Sequence, residues 1–64
     1  MTDAMITALV VMQFNGSVHP GANVLRNGAL YRVNRSAIER LERAGYCETR
    51  LHADGDVMGV PVGR

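Results

Sequence analysis

The stretch Val33-Asn34-Arg35-Ser36-Ala37-Ile38-Glu39-Arg40-Leu41-Glu42-Arg43-Ala44-Gly45-Tyr46 decides how the 64-residue chain is read, because it carries helix signals at both ends. Ser36 and Glu39 have the spacing of a capping box, and Asn34 is a rival cap with Val33 and Ile38 flanking the first turn. Gly45 suits the left-handed residue that closes a helix, with Tyr46 folding back on the last turn. Between these ends Ile38 and Leu41, joined by Ala37 and Ala44, form a narrow apolar stripe among charged residues. A helix over about residues 35-44 is too short to stand alone in water. Its apolar side must rest on a sheet made from the rest of the chain.

The remainder reads as short strands and turns. From Met5 to Phe14 apolar residues fill both phases of a period-two pattern, which predicts a central strand needing cover on both faces. Residues 1-4 are expected to be a flexible N-terminus. Asn15-Gly16, Asn27-Gly28 and Asp54-Gly55 are each suited to a two-residue hairpin turn, because such turns favour residues that accept positive φ. Three such signals imply a meander of antiparallel strands. Pro20-Gly21 interrupts the first return strand, and Asn23–Arg26 with Ala29–Val33 makes a second hairpin. Residues 46-52 then read as a strand, followed by the apolar segment from Val57 to Val62. Gly59 and Pro61 leave residues 57-64 as either an edge strand or an extended C-terminal arm. The expected fold is a single α+β domain over residues 1-64, with a small antiparallel sheet or SH3-like partial barrel of short hairpins and one helix.

Composition narrows the function. A chain of this size buries little surface and gains from an external staple. With Cys47 as the only cysteine, an internal disulfide is excluded, and Cys47, His19 and His52 are too few soft ligands for a structural zinc. Oligomerisation or docking on a larger partner is the remaining source of stability. Net charge is +1, which carries no overall nucleic-acid signature. All seven basic residues are arginine, concentrated between Arg26 and Arg43, and the helix reads as a solvated face with Glu39 and Arg43 paired. The apolar run at 5-14 is half the length of a membrane span, and Asp3 precedes it where a signal peptide carries positive charge. A reduced lone thiol fits a cytoplasm.

No catalytic residues, cofactor-binding residues or metal site are expected. Ser17, His19, Ser36, Cys47, His52 and Asp54 could be assembled into a nominal triad, but no nucleophile elbow surrounds them. The core leaves little room for a pocket of about 300 Å³. On its strand Cys47 reads as a small buried hydrophobe. No second helix makes a helix-turn-helix with Arg35, Arg40 and Arg43, and Phe14, Tyr31 and Tyr46 each fit a core position, leaving no stacking platform. No small-molecule substrate, cofactor, membrane or specific DNA partner is therefore expected.

The order of elements resembles a known group. An opening Met5-Ile6-Thr7-Ala8-Leu9-Val10-Val11-Met12-Gln13-Phe14-Asn15-Gly16, a hairpin ending in Tyr31-Arg32-Val33, then Ala37-Ile38-Glu39-Arg40-Leu41-Glu42-Arg43-Ala44-Gly45-Tyr46-Cys47-Glu48, is similar to small head-morphogenesis proteins of tailed bacteriophages and prophages. The resemblance spans roughly residues 5 to 52. An insertion around Ser17 to Asn23 and the apolar tail after Asp54 depart from the pattern. It implies a virion-associated role, as a capsid or head-assembly component acting by protein-protein contact, in the virion or the host cytoplasm.

On this reading the contact surface is Leu9 and Val11 with Val57, Met58, Val60 and Val62, rimmed by Arg32 and Arg35. The partner is a second copy or a larger phage protein such as a capsid protein. Two other readings stay open: a phage-encoded regulator or inhibitor of a host defence complex, and a nucleic-acid-binding accessory protein.

Overall fold

The helix of the quoted stretch is present in the computed structural model, which describes residues 1-62, but it is the second of two. The order is α1 (Asp3–Asn15), β1 (Asn23–Arg26), β2 (Ala29–Arg32), α2 (Arg35–Arg43), β3 (Cys47–Leu51) and β4 (Val57–Pro61). The architecture is α+β, with two helices and two antiparallel two-stranded ribbons, β1-β2 and β3-β4. Among the described residues the two ribbons do not join into one sheet.

The largest departure from expectation is α1, which stands where a central strand was expected. Thr2 caps it, its hydroxyl accepting from the Met5 N–H at 3.2 Å, and Asp3 lies in the first turn, where a negative charge suits the helix dipole. Gly16, at φ +80°, ends it by donating to the Met12 carbonyl at 2.8 Å. Asn15-Gly16 is therefore a helix stop, not a hairpin turn. A run apolar on every side fits a period of 3.6 as readily as a period of two. Its ten-residue length, long for a strand, is what separates the two readings. The helix starts at Asp3 with Thr2 as its cap, within the stretch 1-4 expected to be a flexible N-terminus. The opening from Met5 to Asn15, read as β-rich, is likewise helical.

At α2, Asn34 is the cap: its Oδ1 accepts from the Ala37 N–H at 2.9 Å and from the Ser36 hydroxyl at 2.8 Å. Glu39 pairs backwards with Arg35 at 3.3 Å, not forwards with Arg43. At the other end Tyr46 N–H reaches the Leu41 carbonyl at 2.9 Å and Gly45 N–H the Glu42 carbonyl at 3.0 Å, with Gly45 at φ +87°. This is the left-handed closure expected of that glycine. Ala44 is exposed at the helix end instead of joining the apolar stripe.

Asn27 and Gly28 both take positive φ, +50° and +79°, so the first ribbon turns as its sequence predicts and places Val24 opposite Tyr31 and Leu25 opposite Leu30. Asp54-Gly55 lies in a longer connection from His52 to Asp56, in which the Gly55 N–H donates to the His52 carbonyl at 2.9 Å. The second ribbon pairs Cys47 with Pro61 and Leu51 with Val57. β4 also meets Val18 on its other edge, where Val18 and Gly59 exchange two backbone hydrogen bonds of 2.9 and 2.8 Å. Within the described residues Val57–Pro61 is thus a strand held by the chain's own backbone; the last two residues of the expected arm lie outside the description.

The core gathers Ala8 and Met12 from α1, Ile38 and Leu41 from α2, Cys47 from β3, and Val18 and Val33 from the connections. Gly59 sits inside it: a Cβ there would lie 3.0 Å from Val18 Cγ1 and 3.3 Å from Ile38 Cγ2, so β4 approaches α2 closely only because this residue has no side chain. The first ribbon is held differently. Arg26 donates to the Oγ1 of the buried Thr7 at 2.8 Å, with its guanidinium 5.2 Å from the Tyr31 ring centre.

Candidate interaction surface

Two lines of apolar side chains face solvent, and both follow from periodicity. In the first ribbon the Asn27-Gly28 turn sets the register, and alternation sends Val24 and Tyr31 to one face, half-buried, and Leu25 and Leu30 to the other. Leu25 is 72% exposed and Leu30, directly across from it, 71%. Neither β1 nor β2 contributes a buried residue. In α1, spacing by four aligns Ile6, Val10 and Phe14 on the side opposite Ala8 and Met12. Ile6 and Val10 are half-buried and Phe14 is 86% exposed. Phe14 and Tyr46, expected in the core, are both exposed: Phe14 lies in the last turn of α1 and Tyr46 just beyond the glycine that closes α2.

The residues expected to form the contact surface are spread over four elements. Leu9 and Val11 are half-buried and pack on the core from α1, so much of their surface is already used. Val57, Met58 and Val60 are half-buried on β4, and Val62 is exposed just beyond it. Arg32 is exposed at the end of β2. Arg35 is exposed at the start of α2, between Glu39 and the more distant Asp56 at 4.0 Å. α1 packs directly against β4, which brings the first two groups into one neighbourhood. Leu25, Leu30 and Phe14 were legible as apolar, but their outward direction depends on the true register of the hairpin and the true period of α1.

The groups with chemical potential are separated or occupied. Cys47 is buried beside the Ile38 carbonyl, and burial, reinforced by the negative charge of Glu42, pushes its thiol above its ordinary value. Cys47 opens β3 and His52 follows its last residue, about 16 Å away along an extended chain at the usual rise, so the two do not meet at a metal. His52 instead packs edge-to-face on His19, ring centres 4.4 Å apart, and its Nδ1 lies 3.0 Å from Asp54 Oδ1. Asp54 is held below the usual carboxylate range, first by the Asp56 backbone N–H and then by His52. Among the described residues no group of three or more His, Cys, Asp or Glu side chains is placed to hold a metal ion.

A cleft of about 330 Å³ opens where the starts of the two helices meet, lined by Thr2, Ala4, Asn34, Ser36, Ala37 and Arg40. The core was expected to leave little room for a pocket of about 300 Å³, and this space is an open cleft at the surface, not a cavity within the core. The side-chain oxygens of Thr2 and Asn34 in its wall already accept the capping bonds. No described helix is long and apolar enough to cross a membrane.

Comparison of the chain with family models, with curated proteins and with solved structures finds no match.

Proposed function

We propose that the protein is a non-catalytic interaction module that works by burying exposed apolar surface against another polypeptide, as a virion-associated component of a tailed phage. The observation that carries this reading is the Leu25–Leu30 pair. Two leucines face each other across a ribbon, each more than two-thirds exposed, in a chain with few residues to spare for such a display. Singly exposed leucines are ordinary, whereas a directly paired set on a two-stranded ribbon is a preformed contact patch. Arg32, exposed on β2, supplies a polar rim of the kind that surrounds apolar interface centres. The virion placement is supported by the order of hairpin, helix ending in Leu41 through Gly45, and strand, the part of the phage resemblance that α1 leaves intact. On this reading the protein resides in the virion or in the host cytoplasm during assembly.

A second reading has its own support. Arg40 and Arg43 are exposed on α2, a basic face suited to an acidic surface such as that of a host regulator's target. A tagged chain expressed in phage-producing cells separates the two. In a density gradient the wild type is expected to band with heads or full particles, and the Leu25→Ser/Leu30→Ser variant to stay at the top. Wild-type protein found only with host complexes, released by Arg40→Glu/Arg43→Glu and not by the leucine changes, would replace the first reading with the second.

A further inference from the structure

We infer that the outer edge of β1 is a strand-addition site that takes an extended acidic segment of another polypeptide. The inference rests on the interaction-module reading and names the chemistry of the partner. Hydrogen-bonded and non-bonded pairs alternate along an antiparallel ribbon, so its register says which backbone groups are left over. The Val33 N–H donates to the Ala22 carbonyl at 2.8 Å, and the pairs Val24 with Tyr31 and Arg26 with Ala29 follow in the same phase. Val24 and Arg26 therefore spend their backbone groups on β2, while Asn23 and Leu25 turn N–H and C=O away from it. Among the described residues β1 has β2 as its sole strand neighbour. Of the two strands it is mainly β2 that α1 packs on, the Arg26 side chain reaching Thr7 past the Tyr31 ring. An open edge of this kind is a template for one more strand.

Charge selects the occupant. The outer face of the ribbon carries Asn23 and Leu25 from β1 and Leu30 and Arg32 from β2, all exposed. Leu25 lies across from Leu30 and Asn23 across from Arg32, so the apolar end is at the turn and the cationic end at the base. The Arg32 guanidinium leans over the β1 side, since a Cβ on Gly21 would lie 3.9 Å from its Nη2. No acid occurs between Asp3 and Glu39, a stretch that holds Arg26, Arg32 and Arg35. Arg26 is bound to Thr7 and Arg35 to Glu39, which leaves Arg32 without an ion pair among the described residues. A strand laid along β1 shares the outer face at every second residue. It meets Leu25 with an apolar side chain and, further along the same face, Arg32 with a carboxylate. A second copy of the ribbon brings more arginine and no acid, so it leaves this charge unanswered.

NMR of the ¹⁵N-labelled protein tests this with the blocked peptide Thr-Leu-Thr-Glu-Thr-Glu-Thr and its reversed sequence, which cover both strand directions. Titration to about 2 mM reaches the millimolar binding expected of so short a contact. At least one peptide is expected to move the Asn23 and Leu25 amide signals and slow their hydrogen exchange, with Val24 little changed. Lysines in place of the glutamates should weaken binding by about tenfold, and Arg32→Glu should reverse that preference. N-methylation of alternate peptide residues separates strand pairing from apolar adhesion. On one set of positions it should abolish binding and on the other leave it nearly unchanged. No response at Asn23 and Leu25 to either peptide, indifference to the glutamates, or equal loss from both methylation sets overturns the inference. So does protein that pairs with its own copies through the same two amides as its concentration rises. Each of these results leaves the gradient experiment above to judge the wider reading by itself, because leucines are also buried against folded surfaces that add no strand.

Discussion

The two ribbons have nearly the same construction and opposite roles. β3-β4 places Cys47 and Gly59 in the core, lies on α2 and α1, and is stitched to Val18 along its free edge. β1-β2 has no buried residue, touches α1 through Arg26 and Thr7, and turns its leucines to solvent. Apolar content does not distinguish them. What does is which residue stands where the ribbon approaches a helix. Gly59 lets β4 come close enough to be part of the core, whereas Arg26 and Tyr31 hold β1-β2 at side-chain length and leave its other face uncovered. In so small a domain, one ribbon stabilises the fold and the other is free to bind.

The sharpest way to break this contrast is to fill the close approach. Gly59→Val would drive carbon atoms into Val18 and Ile38, and overpacking of that kind costs about 1–3 kcal/mol, sometimes more. Against the roughly 3–5 kcal/mol that a core of this size supplies, the variant is expected to lose a large part of its stability, read as a clearly lower melting temperature by circular dichroism. Next in size is the Asn34 cap at the junction between the ribbons. Asn34→Ala should cost about 1 kcal/mol, read as a lower urea midpoint with an unchanged slope. On the free ribbon, Leu25→Ser/Leu30→Ser should move stability by no more than about 0.5 kcal/mol in the same titration. A loss as large as that at Gly59 would mean the first ribbon belongs to the core after all.

The smallest effect concerns the loop of the second ribbon. Because Asp54 is held below its ordinary value by the Asp56 N–H and His52, its charged form is favoured in the fold. That contribution is present above the unfolded carboxylate value near pH 4 and is lost as pH falls through the lower folded value. The melting temperature of the wild type should therefore drop between pH 5 and pH 2 slightly more than that of Asp54→Asn. Parallel curves for the two would remove any role for this carboxylate.

How much of this was legible beforehand varies with how local the signal is. Asn34, Gly45 and the stripe through Ile38 and Leu41 specify α2 from neighbouring residues alone, and Asn27-Gly28 specifies the first ribbon in the same way. α1 was missed because residues 5-14 are apolar in every phase, which removes the contrast that periodicity needs; Thr2 and Gly16, short-range signals at its two ends, were the residues that could have marked it. The misreading carried into the site. As a strand, Leu9 and Val11 share an outer face, while as a helix they turn toward the core and Ile6, Val10 and Phe14 turn out. Gly59 looked like a weakness in a strand because the reason for a missing side chain is the neighbour that fills the space.

The central claim is that the first ribbon's outer face and the tip of α1 remain uncovered by the chain's own residues and are covered by another polypeptide. Methyl and aromatic NMR of the dilute protein, with a soluble paramagnetic agent, measures this residue by residue. Strong broadening of Leu25, Leu30 and Phe14 signals is expected beside a sharp Leu41, and recovery of the broadened signals on assembly. Shielded Leu25 and Leu30 signals in the dilute monomer would contradict the account.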